Sequence, residues 1–382
     1  MTSLRRSLPV LGLTAASALV LAGCAGTAAG GDDDAEGRLS VVASTNVYGQ
    51  IAAEVGGDLV DVTSIVTNES QDPHSFEPSA RDQLTVSKAD LVIENGGGYD
   101  AFVDALIESS GTDAPVVTAV EYSHDWPDNP GHADPPAADE TGSDETDAAT
   151  DDAATEDAEE HATDDAATEA ADDHATDDAA TEAADDHATE DAEAHTDEAD
   201  DHGHDHVEGF NEHVWYDPHT IAHVASAIAD ELGQLSPDDA DTFIANAEAF
   251  GAEVETLEAS LGDIGAAHGG EKVFVTEPVP VYLTDAAGLE NSTPEAFSEA
   301  VEEGQDVAPA TLLESLALVR DGGVSVVITN TQTGGAETQE IVGEADGLGI
   351  PVIAFSETLP EGETYISWMQ ANIEALNTAL QA

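Results

Sequence analysis

SPDDADTFIANAEAFGAEVETLEASLGDI, residues 236–264, decides the fold. Ser236-Pro237-Asp238-Asp239 opens a helix, because proline suits a first turn and short polar side chains can satisfy its free N–H groups. Phe243, Ala247, Phe250, Val254, Leu257 and Leu261 then recur at alternating spacings of four and three. They form one apolar stripe over about 25 residues, or roughly 37 Å. A helix of that reach can connect two bodies.

Outward from this stretch, apolar strands alternate with helices on both sides. On the N-terminal side LSVVAST reads as a strand and is followed by a helix starting near Asn46 and running through Ile51 to Val55. DLVDVTSIV is a second strand, QDPHSFEPS a loop, RDQLTVSKA a helix, DLVIENGG a strand, YDAFVDALIES a helix and APVVTAV a strand. After a long polar interval, Asp217 caps a helix with Pro218 at its first position in EGFNEHVWYDPHTIAHVASAIADEL. Beyond the linking helix come KVFVT, YLTDAAGL, the helix APATLLESLALVRDG, the strand VSVVITN, the helix AETQEIVGEADGLG, the strand PVIAF and the helix ISWMQANIEALNTAL. Short unbroken apolar strands covered on both faces imply parallel sheets. The expected fold is α/β, two βα lobes bridged by a long rigid helix. The lobes are expected at 38–124 with 209–235 and at 270–382, with the linking helix at 236–265.

Residues 1–24, MTSLRRSLPVLGLTAASALVLAGC, pair Arg5 and Arg6 with an apolar run too short for a comfortable membrane span, so they read as a signal peptide. The run ends in Leu21-Ala22-Gly23-Cys24, similar to a bacterial lipobox, in which Cys24 is acylated and becomes the mature N-terminus. Cys24 is the only cysteine, which excludes an intramolecular disulfide. The Gly/Ala/Asp-rich residues 25–37 read as a flexible tether.

The net charge is -75, and residues 131–210 hold 31 of the 82 acidic residues and no base. That leaves 51 acids against seven bases elsewhere, so the folded part is itself acidic. Such a surface argues against nucleic acid and anionic lipid as partners and favours cations. With Lys88 and Lys272 as the only lysines, it also suits a salt-rich environment, where screening makes dense like charge tolerable.

Residues 125–208 lack apolar periodicity, so they are expected to form a disordered acidic insert. Within it HATDDAATEAADD at 161–173 repeats at 174–186 and again, frayed, from His187. Each unit offers an imidazole among carboxylates, donor types that divalent cations accept. His161, His174, His187, His195, His202, His204 and His206 are therefore candidate weak metal ligands. The competing view is a solvated acidic spacer.

Outside the insert, His74 in DPHSFEPS is flanked by Pro73 and Pro78, which stiffen its loop before any ligand arrives. His213 in NEHVWYDPH borders ordered sequence. His219 and His223 lie four apart on one helical face, the spacing of a helical metal pair, and compete with it. They rank lower, because His219 occupies the first turn and His223 points where the helix should pack. Glu277 and Glu357 each follow a strand, after KVFVT and PVIAFS, and in open α/β sheets ligands collect at the carboxyl ends of strands.

VVASTNVYGQIAAEVGGD, DPHSFEPSARDQL, ADLVIENGGGYDAFVDAL, HVWYDP, VYLTDAAGL and ETLPEG together resemble the zinc and manganese group of substrate-binding proteins of ABC importers. The resemblance runs from about Arg38 to the C-terminus apart from the insert. It implies two lobes bridged by a rigid helix, and a metal held between them by His74, His213, a third ligand after the first strand of the second lobe and an acid near the end. The third position is a departure: zinc members usually carry histidine there, and the aligned residue is Glu277, as in many manganese members. The fourth falls on Ser356 or Glu357, and Glu357 is preferred because a carboxylate balances charge. Two neutral imidazoles and two carboxylates would leave a divalent ion formally neutral. The set suits Zn(II), or Mn(II) if a carboxylate binds through both oxygens.

The expected protein is a monomeric receptor, held outside the cytoplasm by lipid on Cys24, that captures Zn(II) and passes it to a membrane permease. Mn(II) is the alternative cargo. A metal-buffering surface protein or adhesin is the alternative of another class. A metallohydrolase is disfavoured, because the sequence has no HExxH and no evident base beside an open coordination position. The insert would raise the local metal concentration through weak multivalent binding. Deleting residues 131–207 should leave the tight site intact and reduce the number of weakly bound ions. Unchanged stoichiometry by calorimetry would refute that role.

Overall fold

The computed structural model describes residues 37–127, 207 and 209–382. The expected leader with Cys24, most of the expected tether and nearly all of the expected insert, including its candidate histidines, lie outside the described residues. Among the described residues no helix is long and apolar enough to cross a membrane.

The first lobe runs β1 (Leu39–Thr45), α1 (Asn46–Gly56), β2 (Val60–Val66), α2 (Ala80–Val86), β3 (Leu91–Glu94), α3 (Phe102–Ser110) and β4 (Val116–Thr118). Its sheet has the order β2-β1-β3-β4 and is parallel throughout. α4 (Pro218–Leu235) returns to this lobe, capped by Asp217, whose carboxylate accepts from the His219 N–H. The second lobe runs β5 (Lys272–Val275), α6 (Val281–Ala286), β6 (Glu290–Asn291), α7 (Glu295–Glu302), α8 (Pro309–Asp321), β7 (Val324–Asn330), α9 (Ala336–Leu348), β8 (Val352–Phe355) and α10 (Tyr365–Leu380). Its order, β6-β5-β7-β8, is also parallel. In each sheet the strand order reverses beside the first strand, the second strand lying on one side and the third on the other, so the carboxyl ends there open onto a crevice.

Between the lobes α5 spans Ala240–His268, 29 residues or about 43 Å. It begins later than Ser236, because the Ser236 hydroxyl donates to the Asp239 carboxylate and residues 237–239 close a turn first. Its stripe is buried from Phe243 to Ile264. One continuous apolar cluster joins β1, α1, α4 and α5 to β5, β7 and α10, so a single core passes through both lobes. Smaller clusters cover the outer faces of each sheet.

A polar seam supplements this core. Asn46 accepts from the Leu359 N–H at 3.0 Å and donates to the Leu359 carbonyl at 2.7 Å. Gln50 accepts from the Tyr365 N–H at 2.9 Å, and the Tyr216 hydroxyl donates to the Ser356 carbonyl at 2.7 Å. Backbone groups that would otherwise be orphaned by burial are thereby satisfied across the lobes. Independent movement of one lobe would break them together. Leu257, 3% exposed on α5, should cost about 2–5 kcal/mol when cut to alanine. Urea unfolding followed by circular dichroism should show one cooperative transition moved to lower denaturant; two separated transitions would contradict the shared core.

Candidate metal centre between the lobes

His74 lies in the loop between β2 and α2. Asp72 fixes that loop by accepting from the His74 N–H at 2.9 Å and the Ser75 hydroxyl at 2.7 Å. The His74 ring meets Tyr99 edge-on with centroids 4.8 Å apart. Tyr99 arrives there because Gly96, Gly97 and Gly98 all take positive φ after β3. Gly97 also permits a close approach, since a Cβ there would meet the Glu212 Cβ at 3.3 Å.

His213 is 1% exposed and packs edge-on against Trp215, centroids 5.1 Å apart. The rings of His74 and His213 are 6.1 Å apart. Asn211 sets the chemistry of the second imidazole. Its amide nitrogen donates to the Pro278 carbonyl at 3.0 Å, which fixes the oxygen's direction. That oxygen lies 2.7 Å from His213 Nδ1 and, as an acceptor only, requires the ring proton there. The lone pair is left on Nε2, the state of a metal-ligating histidine supported from behind. Pro278 directly follows Glu277, so the Asn211 bond also ties the histidine segment to the opposite lobe.

Glu277 and Glu357 come from the second sheet. Both lie two residues past a strand, β5 and β8, and β7 runs between those strands, ending at Asn330. Neighbouring strands stand about 4.8 Å apart, so the Asn330 side chain falls between the two carboxylates. Its amide nitrogen donates to Glu277 Oε2 at 3.0 Å and to Glu357 Oε1 at 2.5 Å. Thr333 also donates to Glu277 Oε2, and the Tyr99 hydroxyl lies 3.4 Å from Glu357 Oε2. The Ser356 hydroxyl instead donates to the Thr358 carbonyl at 3.0 Å.

Among the described residues, the side chains that can each offer a ligand atom within 4.8 Å of one another are His74, Glu212, His213 and Glu302. The expected histidines are thus brought together, and Glu277 and Glu357 are brought together by Asn330, outside that tightest group. Glu212 and Glu302 have no motif of their own. Glu212 adjoins His213 in Asn211-Glu212-His213, and that polar triplet before a buried aromatic pair is the signal that could have found it. Glu302 ends α7, whose buried residues Phe297 and Val301 dock it on the lobe, and its Oε1 stands 3.7 Å from His213 Nε2.

Burial holds these acids far from their ordinary range. It pushes Glu302 up to about 9, with repulsion from Glu212, Glu277 and Glu357 adding to it. Glu357 is pushed up to about 7 by burial, then by the charges of Glu277 and Asp72, although Asn330 and Tyr99 pull the other way. Glu277 is raised by burial against the bonds from Thr333 and Asn330. Several carboxylates in one low-dielectric seam cannot all ionise, and a divalent cation reverses that penalty.

The folded state therefore holds the Glu302 proton more tightly than the unfolded chain does. This stability contribution is fully present below the ordinary value of 4.5 and is lost as the pH rises through about 9. Glu302→Gln is neutral throughout. In chelator-treated protein, the unfolding free energy of the variant relative to wild type should grow between pH 5 and pH 9 by about 1 kcal/mol or more, at about 1.4 kcal/mol per unit of pKa. Parallel stability curves would contradict the buried acid.

A family model described as the periplasmic zinc-uptake complex component A, ZnuA, matches residues 41–379. The manganese-binding lipoprotein MntA of Halalkalibacterium halodurans is 23% identical over 382 residues, covering 95% of this chain and 95% of MntA. The zinc-binding lipoprotein AdcA of Streptococcus pneumoniae is 23% identical over 350 residues, covering 90% of this chain but 56% of AdcA. A crystal structure of ZnuA superposes with a TM-score of 0.57 at 18% identity, covering 90% of this chain and 99% of the other. That likeness carries the fold.

Proposed function

The chain belongs to the family of the periplasmic zinc-uptake complex component A, the solute-binding proteins of zinc and manganese ABC importers, and from that membership we propose that it captures Zn(II) between its lobes with His74, His213, Glu277 and Glu357. The observation that carries this reading is the pair of imidazoles facing buried carboxylates across the seam. His213 presents Nε2 towards Glu302, and Glu302 in turn feels Glu277 and Glu357. The Ser356 hydroxyl is committed to a backbone carbonyl, which favours Glu357 as the fourth ligand.

Zinc is preferred because imidazole suits it and because a given nitrogen and oxygen site binds Zn(II) more tightly than Mn(II). Manganese is the second reading of the cargo, favoured by a carboxylate at Glu277. A second ligand set, His74, His213, Glu212 and Glu302, is favoured by proximity alone. In the first set, Glu302 is the nearby buried acid that yields its proton when the ion arrives.

No bond in the cargo is made or broken, so the protein's work is selection, retention and release. A lipid on Cys24 would hold it at the membrane, where a permease receives the ion. With one core through both lobes, release is assigned to the His74 loop and the segment leading to His213, not to hinge opening.

Protein purified without added metal should contain close to one tightly held zinc by mass spectrometry and keep it in the presence of excess manganese. His74→Ala and His213→Ala should each weaken zinc by more than about 100-fold, or about 2.7 kcal/mol. Glu277→Gln and Glu357→Gln should weaken it more than Glu302→Gln; the reverse ranking would transfer the site to the second ligand set. Unchanged affinity in both histidine variants would overturn the capture role.

A further inference from the structure

His219 and His223 form a cluster that shares no residue with the interlobe centre. They lie one turn apart on α4, and their Nε2 atoms stand 3.3 Å apart. The rings meet at 73° with centroids 4.9 Å apart. Two nitrogens bound at about 2.0–2.1 Å to a tetrahedral zinc stand roughly 3.4 Å from each other. The separation is therefore that of one edge of a zinc tetrahedron.

The opposite side of His219 supports the same role. Glu258, on α5, places Oε1 3.4 Å from His219 Nδ1. A carboxylate facing Nδ1 favours the ring proton there and leaves Nε2 as a donor to metal, the carboxylate–histidine–metal arrangement. Both helices are set by the stripe that builds the core, so the three side chains meet without help from a loop. The cluster faces a groove of about 570 Å³ between α4 and α5, large enough for a cation that keeps water on its other positions. Asp230, Glu248 and Glu255 line the same groove, and among the described residues no lysine or arginine does. His219 and Glu258 are about two-fifths exposed, so an ion can reach them from solvent.

We propose that His219 and His223, oriented by Glu258, form a second divalent-metal site on the α4–α5 face, independent of the interlobe reading. Its donor set selects imidazole-seeking ions, Zn(II), Cu(II) or Ni(II), over Mn(II), Mg(II) and Ca(II). With two protein nitrogens and water completing the shell, it binds more weakly and exchanges faster than a four-ligand centre.

Equilibrium dialysis of the full chain against zinc alone should show the His219→Gln/His223→Gln double variant saturating at one ion fewer than wild type, with an unchanged circular dichroism spectrum. Glu258→Gln should keep the ion but weaken this site by about 10-fold. In wild-type protein labelled with ¹⁵N-histidine and assigned through the two single variants, zinc should shift both Nε2 resonances and leave both Nδ1 protonated. Equal zinc counts in wild type and double variant, or imidazole resonances of His219 and His223 that stay put at saturation, would overturn the proposal.

Discussion

Buried like charge is the constraint from which the rest of the molecule can be understood. Carboxylates from Glu212, Glu277, Glu302 and Glu357 are gathered with two imidazoles at a seam where water cannot screen them. Left to themselves they must hold protons or lean on hydrogen bonds, and both occur: burial raises Glu302 and Glu357, and Asn330 bridges Glu277 to Glu357. A divalent ion does the same task better, because it neutralises two acids at once and accepts the imidazole lone pairs. The proposed preference for a cation rests on how the seam is built.

Strand order explains why those groups meet. Parallel strands send their carboxyl ends the same way, so Glu277, Asn330 and Glu357 come from adjacent ends of one sheet in the order acid, amide, acid. The first lobe answers with His74 on its loop after β2 and His213 just before α4. Asn211 connects the halves, with its oxygen on His213 Nδ1 and its nitrogen on the Pro278 carbonyl. The tautomer of the imidazole is therefore set by a side chain that the opposite lobe holds in place. α5 and the Asn46, Gln50 and Tyr216 bonds keep the lobes together.

The fold was legible because its signals are local and periodic. The α5 stripe runs through Phe243, Phe250 and Leu257, and the short unbroken strands announce parallel sheets. His74 and His213 were legible through motifs, one braced by prolines and the other beside an aromatic pair. Glu302 was not, because nothing local in EAFSEAVEE separates it from its acidic neighbours; only the docking of Phe297 and Val301 brings it to His213. Asn330 escaped for a related reason: a polar residue ending an apolar strand acquires its bridging role only when β7 lies between β5 and β8. His219 and His223 were recognisable as a helical pair. Their partner Glu258 depends on how α4 lies along α5.

Proton release on zinc binding tests the central claim most directly. Titration calorimetry at pH 7, repeated in buffers of different ionisation enthalpy, counts the protons that leave per ion bound at the tight site. Acids raised to about 7 and about 9 must give protons up when the ion arrives, so the observed heat should vary with the buffer and report more than one proton released per zinc. A binding heat that is the same in every buffer would mean that the seam's carboxylates were already ionised, and the account would fail.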